Sequence, residues 1–332
     1  MYKRLIIISP NKLGGVNDYS NLLHKILSKY LKIYIFKVDK NNLAKTLKIN
    51  FKKTDAVILQ YSNYGYSKRG IPFWILKLLK NIKKRDALII TYFHEFNNIK
   101  PKLSNSGFWL NPFQNFIWKK ILNLSNYTLT SCLEYKNIIC KYKKKNTILL
   151  TCPTLIGENK SENIKKDNTI TIFGLPQSRI KAFNHLNDEF LFNAKKKKFK
   201  IIDIGKKITN INFNHYKKFI DFKGYLNSKE TSKILKKTKF GILCYNTRLL
   251  DKSSIYSTFI NYNIIPIIID IKKSYNQILK ENINYLNFFT LNKLKANYST
   301  IVKNNKHFYK KHNVKMHLNF YKKIINGKNI RK

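Results

Sequence analysis

The chain has 332 residues, 43% of them hydrophobic, and carries 65 Lys and Arg against 17 Asp and Glu, for a formal net charge of +48. That is enough chain and enough apolar content for two domains, each with its own core. No apolar window approaches the ~18–20 residues of a membrane span, and the N-terminal apolar run is only a strand long, so neither a signal peptide nor a spanning helix is expected, and the protein reads as cytoplasmic.

Cys132, Cys140, Cys152 and Cys244 form no C-x-x-C pair and sit in or beside apolar runs, as buried free thiols do. No metal-ligand spacing is present. The charge invites a nucleic-acid reading. Lysine, however, is spread through nearly every segment, arginine is scarce, and the abundance of Asn and Ile marks the bias of an AT-rich genome. Phe and Tyr mostly occupy core positions of strands and helices, not a basic surface. Nucleic acid is therefore not the expected partner. A solvated lysine-rich surface accounts for most of the charge, and attraction to an anionic membrane face is a second functional reading.

In chain order, residues 3–9 read as a strand, followed by a loop with Gly14-Gly15 and a helix at 17–30 with Leu22, Leu23, Ile26 and Leu27 inward. Such a loop lets backbone approach a ligand, but the pair lacks the G-x-G-x-x-G spacing and serves equally as a tight turn. Strands follow at 31–38, 55–61 and 87–93, with a lysine-rich helical stretch after the first and a helix at 73–83, led by Pro72, after the second. His94 and Glu95 come just past the fourth strand, on the ligand side of an open α/β sheet. A long loop at 97–111, with Phe108 and Trp109, suits a cover over an acceptor. A helix at 112–124, a strand at 127–131, a helix at 133–141 and a strand at 147–151 end the first pattern, and the polar run 157–168 reads as a linker.

The pattern restarts with a strand at 169–173, a helix at 178–192, strands at 199–204 and 219–222, and a helix from Asn227 or Ser228 to 237. The spacing Ser228–Thr231 lacks the partner of a full capping box. The most informative stretch is 240–270: strand F-G-I-L-C-Y, polar loop N-T-R-L-L-D-K-S-S, a short helix at 253–262 with Ile255 and Phe259 on one face, and the β-branched strand I-I-P-I-I-I. Asp251-Lys252-Ser253-Ser254 opens that helix. Free amides, the positive helix end, a lysine and two hydroxyls suit an anion there, with plain capping by Asp251 or Ser253 as the other reading. A helix at 274–281, a strand at 285–289 and helices at 291–310 and 313–325 close the chain, with His312 and His317 isolated in a lysine-rich tail.

These features, in this order, resemble the GT-B glycosyltransferases, most closely their retaining, glycogen-synthase-like and mannosyltransferase-like class (family 4), over most of the chain. The shared pattern is G-G-V-N-D-Y-S after the first strand, T-Y-F-H-E-F at the fourth, F-G-L-P-Q-S-R-I-K at the restart, then I-I-D-I-G and F-K-G-Y-L. Counting back from Pro266 puts Asp251 and Phe259 where that family has two donor-site glutamates, and Ile264 at the glycine of its turn. Phenylalanine cannot accept the ribose hydrogen bonds of the second glutamate.

The resemblance implies an α/β protein of GT-B fold, two Rossmann-like doubly wound domains facing each other across a cleft: an acceptor domain at 1–155, a nucleotide-sugar donor domain at 156–308, and a C-terminal helix at 309–332 packing back on the first. Arg179, Lys181, Lys252 and the amides of Ser253 and Ser254 would offset the leaving diphosphate without a metal or other cofactor. Asp251 would stand at the donor and Leu226 near the base. Gly14, Gly15 and Asn17 would form the cleft loop, and His94 would contact the transferred sugar, with Glu95 a second catalytic candidate. Domain closure would exclude water. The implied activity is hexosyl transfer, with retention, from a nucleotide sugar to a glycan or lipid-linked acceptor in surface polysaccharide or lipopolysaccharide assembly. A non-catalytic GT-B-like binding or scaffold protein is the alternative, and Phe259 speaks for it; a basic nucleic-acid-binding protein ranks behind both.

Overall fold

The computed structural model describes residues 2–12, 14–95, 106–142, 147–159, 164–209, 211–289 and 298–327. The chain divides into two compact units, Met1–Thr151 with Lys315–Lys332, and Cys152–Val314. The first runs β1 (Arg4–Pro10), α1 (Gly15–Leu27), β2 (Lys32–Val38), α2 (Leu43–Leu47), β3 (Asp55–Ser62), α3 (Asn63–Tyr66), α4 (Trp74–Lys84), β4 (Leu88–Glu95), α5 (Ser106–Leu124), β5 (Tyr127–Thr130), α6 (Leu133–Tyr142) and β6 (Thr147–Leu149). Its six strands form one parallel sheet in the order β2-β1-β3-β4-β5-β6.

β1, β3 and β4 are nearly continuous apolar runs because helices cover both faces of a parallel sheet. On α4 the stripe Ile75, Leu78, Leu79 and Ile82 is buried, as helical spacing requires. On α1 the buried set is Tyr19, Leu23 and Leu27, with Leu22 and Ile26 only half-buried. From β1 the chain steps out to β2 and returns to β3 on the other side. Strand order reverses there, and sheets of this type bind ligands beyond the C-terminal ends of the strands flanking the reversal.

The second unit runs β7 (Thr169–Phe173), α7 (Pro176–Phe183), α8 (Asp188–Lys196), β8 (Lys200–Ile204), α9 (Phe213–Tyr216), β9 (Ile220–Phe222), α10 (Ser228–Lys237), β10 (Phe240–Cys244), a 3-10 segment (Thr247–Lys252), α11 (Ser254–Asn261), β11 (Ile265–Ile269), β12 (Leu286–Asn287) and α12 (Tyr298–Lys310). The sheet is again parallel, in the order β12-β11-β10-β7-β8-β9, and reverses between β7 and β10. α13 (Val314–Ile325) closes the chain and belongs to the first unit from Lys315 onward. There His317 Nε2 donates to the Thr151 carbonyl (2.9 Å) while its Nδ1 meets the Tyr19 hydroxyl (2.8 Å).

Several elements differ from the sequence expectation, each for a local reason. The helix expected at 178–192 is two helices, because Asn187 accepts the Phe190 N–H (3.0 Å) and starts α8 afresh. The capping box of α10 is complete, one residue earlier than the Ser228 spacing: Asn227 accepts the Glu230 N–H and Glu230 accepts the Asn227 N–H, both at 3.0 Å. No helix forms at 274–281, where the Asp270 carboxylate takes the Ser274 N–H (2.8 Å) and Asn276 takes those of Ile278 and Leu279. Side chains there outcompete the helical ladder.

His94 and Glu95 are the last two residues of β4, not a loop past it. Phe108 and Trp109 lie on α5, whose seventh residue is Pro112, so the helix begins before the proline. The carbonyl that loses its partner to Pro112 belongs to Phe108, on an exposed turn open to solvent. Of the expected loop at 97–111, residues 97–105 lie outside the described residues, as do 160–163 of the expected linker and 291–297 of the expected last-but-one helix.

Candidate functional site

In the second unit two loops meet at the reversal between β7 and β10. The first is the turn Gly174-Leu175 that enters α7. Gly174 has φ +138°, and a Cβ there would lie 2.4 Å from Ile255 Cδ1. Only glycine lets this turn touch the start of α11. Arg179, on α7, is 2% exposed. Its Nε donates to Asp203 Oδ1 (2.8 Å), its Nη2 to Asp203 Oδ2, and its Nη1 to the Lys206 carbonyl (2.6 Å). Burial pushes the Asp203 carboxyl above its ordinary value, against the hydrogen bonds and charge of Arg179. The pair lines a 250 Å³ cavity with Gly205, Phe222 and Gly224. Arg179 thus has three of its five N–H donors committed to protein acceptors. Lys181 is exposed, and burial raises the Cys244 thiol above its ordinary value against the opposing charge of Lys181.

The second loop follows β10 and is clamped from beyond β11. Asp270 accepts from Thr247 Oγ1 (2.5 Å), Ser274 Oγ (2.7 Å) and the Ser274 and Lys272 amides (2.8 and 3.0 Å). Burial opposes its ionisation, but these bonds outweigh burial and hold the carboxyl below the usual range. Asn276 ties the loop further, donating to the Thr247 carbonyl (3.0 Å) and to Asp251 Oδ1 (3.2 Å). Asp251 is buried in this network. Ser253 caps α11, its Oγ accepting the Tyr256 N–H (3.2 Å), while Lys252 and Ser254 stay half-exposed beside it.

Phe259 is wholly buried, and a Cβ on Gly241 of β10 would come within 2.6 Å of its ring. The ring packs onto the sheet, so the position matched to the second glutamate has no open side. The turn into β11 uses Asn263 (φ 56°) as its left-handed residue, one position before Ile264, which is buried. Asparagine tolerates that conformation far better than a β-branched side chain. Leu226 follows the edge strand β9, two strands from β7, and its carbonyl accepts from Thr231 Oγ1 (3.5 Å).

In the first unit, Asn17 is buried and holds the loop after β1: Ser9 Oγ donates to Asn17 Oδ1 (2.5 Å), and Asn17 Nδ2 donates to the Lys12 carbonyl. Gly14 precedes α1, whose first turn has no side-chain cap, and a Cβ on Gly14 or Gly15 would meet nothing within 4 Å. His94 packs on Tyr92 (ring centroids 4.2 Å apart) and Tyr19 (5.5 Å), and its Nε2 meets Gln60 Oε1 at 2.6 Å. Glu95, half-buried, accepts from Ser62 Oγ (3.3 Å).

Sequence reasoning passed over Asp203, Asp270, Asn276 and Gln60. The first two carried a signal, each a lone carboxylate in an apolar strand run. Among the described residues no cluster of three or more His, Cys, Asp or Glu is placed to hold a metal ion, and no helix is long and apolar enough to cross a membrane.

Two parallel six-stranded sheets, each with a strand-order reversal, make this an α/β protein of GT-B fold class with two Rossmann-like domains. No family model and no curated protein matches the chain. Solved structures do. An alpha-glucosyltransferase in complex with UDP-glucose and DNA containing an abasic site aligns with TM-score 0.58 at 11% identity, over 98% of this chain and 99% of that one. The lipopolysaccharide outer core galactosyltransferase WaaB aligns with TM-score 0.55 at 11% identity, over 98% and 99%. The pneumococcal O-GlcNAc transferase GtfA, in complex with UDP and GlcNAc, aligns with TM-score 0.55 at 12% identity, and the chain spans 59% of its length. At these identities the likeness is one of fold.

Proposed function

We propose that this protein is a glycosyltransferase that moves a sugar from a nucleotide-sugar donor to a glycan or lipid-linked acceptor. The observation that carries the proposal is the meeting of the β7–α7 turn with the start of α11, Gly174 against Ile255, at the reversal of the second sheet. That is where a sheet of this kind holds a phosphate-bearing ligand. The fold-level likeness to transferases, one of them holding UDP-glucose, supports the same reading.

In this reading the donor diphosphate lies at the start of α11. Lys252, Lys181 and the amides near Ser253 and Ser254 offset the charge that grows as the bond from sugar C1 to phosphate oxygen breaks. Arg179 sets the α7 turn through Asp203, Asp251 shapes the loop through Asn276, and Leu226 lies toward the base. His94 and Glu95, with the Gly14-Gly15 loop and Asn17, serve the sugar and acceptor. Retention, and a place in surface polysaccharide or lipopolysaccharide assembly, follow from the resemblance. The lysine-rich surface favours a peripheral position at an anionic membrane face.

The burial of Phe259 favours a second reading, a GT-B-like binding protein without transfer chemistry. A thermal-shift titration with UDP, GDP, ADP, CMP and dTDP separates the two. The expected result is a saturable rise with one nucleotide, weakened in Lys252→Ala. No shift with any of the five would overturn the donor site and leave the binding-protein reading.

A further inference from the structure

The outward face of α5 is aromatic. Trp109, Phe113 and Phe116, at helical spacing, are 71%, 52% and 48% exposed, and Phe73, just before α4, is 46% exposed. α4 packs beside α5, and Phe73 joins the patch with ring centroids 6.4 Å from Phe113 and 6.2 Å from Phe116. One turn further along each helix the face changes to lysine. Lys77 follows Phe73 and is exposed, and Lys120 follows Phe116 with its Nζ 5.3 Å from that ring. Neither helix contains a carboxylate. An aromatic tip with a lysine collar matches the layering of a bilayer surface, where Trp and Phe enter the interface and ammonium groups meet anionic headgroups. An exposed patch of this kind signals a docking surface.

We infer that this face of α4 and α5 docks the protein on an anionic lipid bilayer. A second copy is the poorer occupant, because pairing two such faces would press lysine against lysine in a chain of net charge +48. The helices begin after β3 and β4, so the aromatic tip stands at the same edge of the sheet as His94 and Glu95. A lipid-anchored acceptor would then reach that edge from the bilayer. The docking inference names the surface behind the peripheral position proposed above, and it rests on the two helices alone; nucleotide binding and lipid binding can fail separately.

The test is co-sedimentation of the full chain with phosphatidylcholine vesicles and with phosphatidylcholine–phosphatidylglycerol vesicles. Wild type should bind the mixed vesicles and not the zwitterionic ones. Phe113→Ser/Phe116→Ser, which keeps every charge, should weaken binding about tenfold or more. Trp109→Ser, at the most exposed position, should weaken it in the same direction should the double variant fold poorly. Absence of wild-type binding, or equal binding by the folded variants, would overturn the inference, since charge alone would then account for adsorption. A wild-type dimer in light scattering that the double variant converts to monomer would overturn it in favour of a second copy.

Discussion

Arg179→Ala removes one side of a buried ion pair and leaves the Asp203 carboxylate, 1% exposed, with no counter-charge. Breaking such a pair from one side costs about 3–5 kcal/mol, whereas replacing both partners by apolar residues of similar volume is close to neutral. Urea melts followed by circular dichroism should therefore show Arg179→Ala several kcal/mol below wild type, and Arg179→Met/Asp203→Leu well above the single variant. A pH dependence should accompany the loss. With Arg179 gone, burial acts alone and raises the Asp203 carboxyl further above its unfolded value. The folded state then binds the extra proton, so the variant loses stability as pH rises between the two values, and its deficit shrinks toward acid. A single variant within about 1 kcal/mol of wild type, or a double variant no more stable than the single, would refute the account. The double variant also answers a functional question. A retained nucleotide shift makes Arg179 a structural residue of the second unit, and a folded protein without the shift makes it a ligand contact.

Gly174→Ala places a methyl 2.4 Å from Ile255 Cδ1 at a φ of +138°, so about 2 kcal/mol or more should be lost together with the nucleotide shift, and an unchanged melt would contradict the close approach. Phe259→Ala should cost about 3–5 kcal/mol in the same melts. Phe259→Glu should be no milder and should not tighten nucleotide binding; a stable, tighter-binding variant would remove the packing argument. Ser253→Ala should lower stability by about 1 kcal/mol through the lost cap on α11. For His312, burial first and then the Lys311 charge bring the pKa from 6.5 to about 4. The neutral ring is favoured in the fold, so this contribution is intact above pH 6.5 and lost as pH falls toward 4, by roughly 3 kcal/mol in full. The wild-type-minus-His312→Asn difference across that window should carry the slope.

Much of the fold was legible because a buried parallel strand writes itself as a continuous apolar run. Residues 169–173 read as a strand and are β7. The link from strand ends to ligand-side loops was legible as well, since the α/β alternation alone says which end of each strand carries them. What local pattern misjudged was interruption. Asn187 restarts a helix that periodicity alone runs through, and Asp270 with Asn276 dissolves one that propensity allows. In both places a short polar side chain captures backbone amides, and its effect depends on geometry that spacing does not carry.

The sequence by itself determined most of the buried strands and the segments gathered at their ends, because hydrophobic periodicity records which faces of a single element leave water. The tertiary structure alone decided what each candidate side chain meets there. Arg179 finds Asp203 because β7 and β8 are neighbours, Gly174 meets Ile255 because β7 pairs with β10, and Phe259 lies against Gly241 because α11 packs on that strand. Each of those contacts joins residues that only crossover connections bring side by side. A one-dimensional pattern reports the burial of a residue and is silent on its partner.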